Sequence, residues 1–358
     1  MTDRKIEKGK ESSSTLVTDM VAGNGQKKTQ SAELVVEPEA APAEVDSFAR
    51  ELERTLRETE QAVLGLEGKQ KESAEAKSWQ QARSIVETFK PVPLFIWRLS
   101  NFVLGKPGSI NKASEGLVFG LRRLLFAAAS DSVLGAGRKV NSVHDALEIL
   151  APDVVAATAV IHAISRRLAT RQFERIWRPI LDDAILRSQI GFFVGGQDPS
   201  FGAGRGMLAG FAGRSGLAVL IASGDLEQAR KALEMLATGA EIKNVGMALY
   251  GCDPIQISAM MLSASGCGRD AAYGTVSYSS AHSIELQAGA DEAGKSQAAW
   301  HSAFLITEYV RTARLDKVPP EIWARLNFTD TVSKNNLADR AKNALRRGHG
   351  WNWLSASS

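Results

Sequence analysis

One histidine–aspartate pair in the chain has the form of a metal-binding motif. His144 and Asp145 are adjacent in NSVHDALEIL, and imidazole and carboxylate groups together can hold a divalent cation. The pair follows Asn141 and Ser142, either of which can cap a helix, and the apolar residues after it recur at helical spacing. The helix dipole favours an aspartate in the first turn. We therefore interpret His144–Asp145 as the start of a helix rather than as a metal site.

A second set of charged residues could bind a ligand or do acid–base chemistry. Asp182 and Asp183 are adjacent carboxylates; Arg178 stands four residues before the first, and Arg187 four residues after the second. Side chains four residues apart are neighbours on a helix, so this spacing predicts two ion pairs on a helix face. In the simpler interpretation these four residues form a salt-bridged helix surface. In the functional interpretation the two carboxylates are available for acid–base chemistry.

Arg214 is the most unusual charge in the sequence. It lies within the apolar stretch LAGFAGRSGLAVLI, from Leu208 to Ile221, which predicts a buried helix. An unpaired charge there would cost several kcal/mol, so Arg214 needs a partner. Two hypotheses stay open: an ion pair with Asp182 or Asp183, or a contact with the phosphate of a nucleotide.

Two glycine-rich segments resemble sequence motifs of known enzyme classes. GRGMLA, beginning at Gly204, fits the loose form of a dinucleotide-binding loop, and GRSG, beginning at Gly213, resembles the nucleophile elbow of hydrolases. Both motifs need a preceding β-strand, which the sequence does not predict, and Leu217 breaks the elbow pattern. We expect a flexible glycine-rich loop over residues 195–206 and no hydrolase site.

Composition limits the function further. The 358 residues are 44% hydrophobic, and 43 Lys and Arg against 40 Asp and Glu leave a net charge of +3. Bulk charge therefore favours neither nucleic-acid nor membrane binding. Cys252, Cys267 and the scattered histidines make no metal or disulfide framework. The N-terminus lacks the apolar core of a secretory signal, and the longest apolar run, Val154 to Ile164, is too short to span a bilayer. We expect a cytoplasmic protein with no cofactor.

The N-terminal residues divide into two parts. Residues 1–45 are polar and aperiodic, which predicts a disordered tail that folding does not need. Residues 46–77 predict an amphipathic helix and a linker, because Leu52, Leu56 and Val63 have heptad-like spacing. The helix could form a homodimer through residues 48–66 or lie on the domain. A chain beginning near Ser78 should melt within a few degrees of the full-length protein, and a large drop in melting temperature would mean that the helix packs on the domain.

The remainder shows helical periodicity and no alternating pattern long enough for a strand, so we predict an all-α fold. A helical domain is expected over residues 78–290, with a C-terminal helical extension over residues 291–358 that packs on it. Trp351 and Trp353 belong to this extension. They could pack on the domain or anchor a partner.

Five motifs follow one another along the chain: KPVPL, RRLLFAAASDSV, NSVHDALEILAPDVVAAT, LAGFAGRSGLAVLI and ALYGCDPIQISAMML. Taken in that order, they resemble the HDOD family of bacterial signalling domains, which are related to HD phosphohydrolases. KPVPL, from Lys90, resembles the family's spaced prolines before its first helix. RRLLFAAASDSV, NSVHDALEILAPDVVAAT and ALYGCDPIQISAMML are similar to later family motifs, and LAGFAGRSGLAVLI has the frame of the central helix. The resemblance covers about Phe89 to Tyr278, with a weaker continuation to Leu345. It implies an HD-like all-helical fold and a role in signal transduction.

The resemblance also implies that the metal site is degenerate. HD enzymes hold divalent metal with a first histidine, a His–Asp pair and a distant acid, and the metal activates water. Matched residue by residue, these positions fall on Pro179, on Gly213 and Arg214, and on Glu308, while a further family histidine falls on Pro254. We therefore expect no catalytic residue, no metal ligand and no enzymatic activity. The vestigial pocket is expected to hold a set of charged residues, namely Arg214, Asp182, Asp183, Arg178 and Glu308.

Three functions are compatible with these features. The first is a non-catalytic regulatory or scaffold protein that acts through protein–protein contacts. The second is a nucleotide-sensing module that uses the vestigial pocket around Arg214. The third, which the lost ligands disfavour, is a residual metal-dependent phosphohydrolase.

Overall fold

The computed structural model describes residues 42–66, 74–105, 118–276, 291–347 and 351–355. Every regular element within these ranges is helical, which confirms the predicted all-α class. In chain order the α-helices are α1 (Pro42–Leu66), α2 (Ala74–Phe89), α3 (Leu94–Ser100), α4 (Arg122–Ser130), α5 (Val143–Ile149), α6 (Pro152–Ala169), α7 (Glu174–Gly195), α8 (Ala203–Ser223), α9 (Leu226–Ala237), α10 (Ile242–Tyr250), α11 (Pro254–Leu262), α12 (Arg269–Val276), α13 (Glu292–Arg311), α14 (Pro320–Ala324) and α15 (Thr331–Arg347). Short π-helical segments continue α3 (Asn101–Gly105) and α11 (Ser263–Cys267).

Helix α8 lies at the centre of the fold. It is apolar on nearly all sides, and α6, α7, α11 and α13 pack around it. By length and composition α8 could cross a membrane, but 89% of its apolar window is buried inside the chain. Helices α5 and α6 pass the same test only as a single span bent by 112°. The central position of α8 follows from its sequence, because a helix that is hydrophobic all round must be buried.

Glycines bring α7 and α8 into backbone contact. A Cβ atom on Gly206 would overlap the carbonyl oxygen of Gly191, and one on Gly210 would overlap the carbonyl oxygen of Arg187. Only glycine permits such an approach. The contact fixes the next turn of α8, which carries Gly213 and Arg214, against the charged face of α7. Helix α8 begins at Ala203, so residues 203–206, which the sequence assigns to a loop, are helical.

Helix α1 packs on the domain. Leu52, Leu56 and Val63, the residues with heptad-like spacing, are buried within the chain, against α2, α12 and the π-helical segment after α11. Thr59 shares a 2.8 Å hydrogen bond between its Oγ1 and Ser263 Oγ, and Arg83 Nη1 lies 2.7 Å from Glu60 Oε2. Packing on the domain therefore accounts for the heptad-like spacing, and the homodimer through residues 48–66 stays a prediction.

The expected boundaries of the N-terminal segments need two corrections. Helix α1 begins at Pro42, so residues 42–45 are helical rather than part of the tail, and α2 begins at Ala74, within the expected linker. A proline is tolerated in the first turn of a helix, where its missing N–H has no intrahelical partner. The expected tail over residues 1–41 and the linker residues 67–73 lie outside the described residues.

The C-terminal segment returns to the domain. Trp351 is buried, its ring centroid lies 6.1 Å from that of Phe192, and its Nε1 donates to Asp131 Oδ1 at 3.3 Å. The Nδ1 atom of His162 lies 2.9 Å from the carbonyl oxygen of Leu354. Trp351 therefore packs on the domain rather than presenting itself to a partner.

Helix α13 belongs to the same core as α8, with which it packs. It contributes the buried side chains of Trp300 and Phe304. The expected boundary between the domain and the C-terminal extension, at residue 290, lies outside the described residues.

Candidate functional site

The first two charged residues of the site lie on α7. Asp183 and Arg187 are one helical turn apart, and Arg187 Nε donates to Asp183 Oδ2 at 2.8 Å. The Arg187 side chain is only 3% exposed, whereas that of Arg214 is 24% exposed. The sequence predicts Arg214 as the buried cation, but the deeply buried guanidinium is that of Arg187. Arg214 instead lies at the edge of the helix packing.

Helix α13 closes the site from the other side. Glu308 and Arg311 are three residues apart, so both point towards α7. Arg187 Nη1 donates to Glu308 Oε1, and Arg311 Nε donates to Asp183 Oδ1 at 2.8 Å. Arg187 therefore binds two carboxylates, and Asp183 accepts hydrogen bonds from guanidinium groups on two helices, α7 and α13.

Helix α8 completes the cluster with Gly213 and Arg214. Arg214 Nε lies 3.4 Å from Asp183 Oδ2, and its Nη1 donates to the carbonyl oxygen of Gly213 at 2.9 Å. A Cβ atom on Gly213 would lie 2.6 Å from Glu308 Oε1, so the missing side chain leaves the space that the carboxylate of Glu308 uses. We call the five charged side chains the arginine–carboxylate cluster: Asp183, Arg187, Arg214, Glu308 and Arg311.

The surrounding charges favour the ionised forms of Asp183 and Arg187. Burial by itself would raise the pKa of Asp183, but the guanidinium groups of Arg187 and Arg311 outweigh it and lower that pKa below its usual value. Burial likewise would lower the pKa of Arg187, and Glu308 and Asp183 outweigh it and raise that pKa. Three guanidinium groups face two carboxylates, so the cluster carries an excess of one positive charge.

Asp182 and Arg178 form a separate pair beside the cluster. Arg178 Nε donates to Asp182 Oδ1 at 3.1 Å, and Arg178 Nη2 donates to Ser355 Oγ at 2.9 Å. Glu174 lies 3.4 Å from Arg178 Nη1. Of the five residues expected in the pocket, the structure thus brings together Asp183, Arg214 and Glu308. Arg178 and Asp182 instead connect α7 to the C-terminal segment.

The cluster does not suit a divalent metal ion. Both carboxylates are occupied by arginines, and a cation would have to displace guanidinium groups of the same sign. Pro179 is exposed on α7, and Pro254 is buried beside Gly216 and Gly246, so neither supplies a ligand. No group of three or more His, Cys, Asp or Glu residues with metal-binding geometry occurs among the described residues.

His144 and Asp145 lie at a helix start, as predicted. Ser142 caps α5, accepting a hydrogen bond from Asp145 N at 3.0 Å, while the Asp145 carboxylate accepts the N–H of Ser142 at the same distance. His144 Nε2 lies 3.1 Å from Glu148 Oε1 on the exposed face of the helix. Asp145 therefore forms a capping box with Ser142, and His144 takes no part in it.

The glycine motifs and the cysteines have structural roles. Asp153 Oδ2 accepts the N–H of Gly204 at 2.7 Å, so a carboxylate of the chain itself occupies the N-terminus of α8 where a dinucleotide phosphate would bind. Ser215 is buried in the middle of α8 and not at an exposed elbow. Burial raises the pKa of the thiols of Cys252 and Cys267 to about 12, which makes both unreactive.

The sequence indicates two members of the cluster, Arg187 and Arg311, only weakly. The spacing from Asp183 to Arg187 predicts their ion pair, but nothing in that spacing indicates that Arg187 is buried and also binds Glu308. Arg311 follows Glu308 by three residues in an ordinary helical pattern. Its contact with Asp183 depends on how α13 crosses α7, and helix crossing is not readable from either segment alone.

The sequence matches no protein-family model and no curated protein. Among solved structures, the chain is similar to a candidate signal transduction protein from Marinobacter aquaeolei VT8, with 16% identity and a TM-score of 0.53. That similarity covers 79% of this chain and 66% of the Marinobacter protein. A candidate phosphohydrolase from Shewanella amazonensis SB2B shows 18% identity and a TM-score of 0.50, over 77% of this chain and 98% of that protein. At this identity the likeness concerns the fold, and it is consistent with an HD-like helical fold.

Proposed function

We propose that this protein is a non-catalytic regulatory or scaffold protein of bacterial signal transduction, with a degenerate HDOD domain that acts through protein–protein contacts. The order of its HDOD-like motifs supports the family. The signal transduction protein among its structural relatives supports the role. On this proposal the pocket that holds metal in HD enzymes has become a structural element, and the protein works in the cytoplasm.

The observation that carries the proposal is the position of Glu308. Its carboxylate occupies the space beside Gly213, where the first residue of the family's His–Asp pair would project. The carboxylate is bound by Arg187, which is itself paired with Asp183. A residue that neutralises another buried charge is not available to bind metal or to accept a proton from water.

Metal analysis and a hydrolysis assay test the proposal together. The full-length protein, purified without chelator, should contain no stoichiometric divalent metal and should not hydrolyse bis-p-nitrophenyl phosphate in the presence of added Mn²⁺ or Mg²⁺. An active HD phosphohydrolase, purified and assayed alongside, controls for the conditions. Hydrolysis that is lost on chelation and restored by metal would refute the proposal.

A second function, nucleotide sensing, is favoured by the excess positive charge of the cluster. Arg214 and Arg311 are 24% and 36% exposed, so both can be reached from solvent, and both contact Asp183. Guanidinium groups bind phosphate oxygens in the same bidentate way as carboxylates. A nucleotide phosphate could therefore exchange with Asp183 for these two arginines, while Arg178, Asp182 and Glu308 keep the surrounding helices in place.

Thermal shift with a panel of mono-, di- and cyclic nucleotides tests this second function. A sensor should be stabilised by at least one nucleotide, and Arg214→Ala should abolish that shift. Lys243→Ala, which removes a half-exposed cation on α10, is the matched control and should leave the shift unchanged. The absence of a shift with every nucleotide would leave protein contacts as the function of the domain.

A further inference from the structure

Five cationic residues lie in or beside the turn at which α6 ends and α7 begins. We call this surface the basic corner; its members are Lys90, Arg166, Arg167, Arg171 and Arg175. Arg167 Nε donates to the carbonyl oxygen of Lys90 at 3.3 Å, and the guanidinium carbon of Arg171 lies 5.7 Å from the ring centroid of Phe89. These two contacts bring Lys90, which follows α2, beside the turn between α6 and α7.

The positive charges of the basic corner are not neutralised within the described part of the chain. None of the five side chains forms an ion pair with a described residue. Glu174, the carboxylate nearest in sequence, is paired with Arg178 at 3.4 Å. All of the five except Arg171 are exposed, and the Nε atom of Arg171 makes no hydrogen bond to a described residue.

Helix stability explains only part of this surface. Arg166 and Arg167 lie in the last turn of α6, where the helix dipole favours cations. Arg175 lies in the first turn of α7, where the helix dipole disfavours a cation. Gathering like charges without counter-charges also costs free energy. A role outside the fold would account for the arginine at position 175.

The charge of the basic corner is opposite in sign to the net charge of the rest of the chain. The whole sequence has a formal net charge of +3, so the residues other than these five cations carry a net charge of −2. A nucleic-acid duplex presents a charge about every 1.7 Å and calls for an extended basic track. A single basic corner on an otherwise slightly acidic chain is a closer match to a local group of carboxylates.

We propose that the basic corner is the docking surface for a carboxylate-rich face of a protein partner. The proposal rests on the proposed function, to which it adds the class of partner. Four of the five cations are arginines, whose planar guanidinium groups bind carboxylates in a bidentate way. Charged surfaces of this kind determine the association rate and the choice of partner, so docking should weaken as salt increases.

Fluorescence anisotropy with an oligoglutamate peptide tests the proposal on the full-length protein. The wild type should bind the peptide at low salt, and the double variant Arg167→Glu/Arg175→Glu should bind it roughly tenfold more weakly or worse. The matched control for a single change of charge is Arg346→Glu, which should retain binding. Arg346 is an exposed cation on α15 without an ion pair to a described residue. An oligonucleotide of equal charge and phosphatidylserine vesicles complete the set of probes.

The single variant Arg175→Glu separates docking from folding. An acidic residue in the first turn of α7 should leave the melting temperature unchanged or raise it, while peptide binding weakens. No peptide binding by the wild type, or an equal loss in Arg346→Glu, would overturn the proposal. Tighter binding to the oligonucleotide or to the vesicles than to the peptide would also overturn it, since it would assign the corner to another class of partner. If this protein proved to be a metal-dependent hydrolase and still bound the peptide through these residues, the proposed function would be refuted and the docking proposal would stand.

Discussion

Glu308 fills the space in which a side chain at position 213 would begin. A Cβ atom on Gly213 would lie 2.6 Å from Glu308 Oε1 and 3.6 Å from Cδ of Arg187. The carboxylate cannot simply move away, because the buried guanidinium of Arg187 holds it. The glycine on α8 and the ion pair between α7 and α13 therefore depend on each other, and this dependence can be measured.

Gly213→Ala should destabilise the protein by about 1–3 kcal/mol, as expected for an added methyl group in a well-packed site. The added Cβ would push the Glu308 carboxylate from Arg187 and leave a buried charge less well paired. Urea denaturation followed by circular dichroism measures the effect. Gly120→Ala is the control, because a Cβ on Gly120 meets no atom within 4 Å. Equal stability of the two variants would show that Glu308 is free to move.

Arg187→Met should destabilise the protein far more, by about 3–5 kcal/mol, because it leaves the largely buried Glu308 without its partner and removes a partner of Asp183. Methionine keeps much of the aliphatic volume, so the loss reports mainly on charge. The double variant Arg187→Met/Glu308→Gln should recover part of the lost stability, since it removes the stranded carboxylate. Failure of the second substitution to restore any stability would mean that packing, rather than charge pairing, dominates at Arg187.

Arg214→Ala should cost less, about 1 kcal/mol, although the sequence alone would place the largest effect here. Its guanidinium is partly exposed, and Asp183 keeps both Arg187 and Arg311 when Arg214 is removed. The same denaturation experiment gives the comparison. A loss as large as that of Arg187→Met would show that Arg214 is buried in solution.

The sequence predicts the fold better than the site. Helical periodicity and the apolar stretch from Leu208 to Ile221 are local properties, and they give the helix class and its central, buried member. The glycines at 191, 206 and 210 bring α7 and α8 together, but only the structure shows which residues they oppose. The exposure of Arg187 and Arg214 depends on how α7 and α8 pack against each other. The sequence therefore identifies both charges but does not show which of them is more deeply buried.

Truncation tests the role of α1. A chain beginning at Ala74 lacks three buried aliphatic side chains, Leu52, Leu56 and Val63, and exposes the surface they cover. Burial of each such side chain contributes about 1.5–3 kcal/mol, so this chain should melt far below the full-length protein or aggregate. A chain beginning at Pro42 retains α1 and should keep the full-length melting temperature, as the composition of residues 1–41 predicts. Equal melting of both truncated chains would mean that α1 is dispensable for the fold.

The buried histidines should make the protein less stable in mild acid. Burial lowers the pKa of His162, despite its hydrogen bond to the carbonyl oxygen of Leu354, and burial lowers the pKa of His301 in the same way. In the unfolded chain both titrate near the usual value of about 6.5. As the pH falls through that value, the unfolded state takes up protons that the folded state does not, so the free energy of unfolding decreases until the pH reaches the folded-state pKa.

Denaturation at a series of pH values between 7.5 and 5 measures this effect, where the range is set by the unfolded pKa of about 6.5. His162→Asn, which can keep a donor near the Leu354 carbonyl, should flatten the decrease, and the double variant His162→Asn/His301→Asn should flatten it further. His144→Asn is the matched control, because that imidazole is 72% exposed on α5. A decrease of the same size in all four proteins would assign the acid sensitivity to groups other than these two histidines.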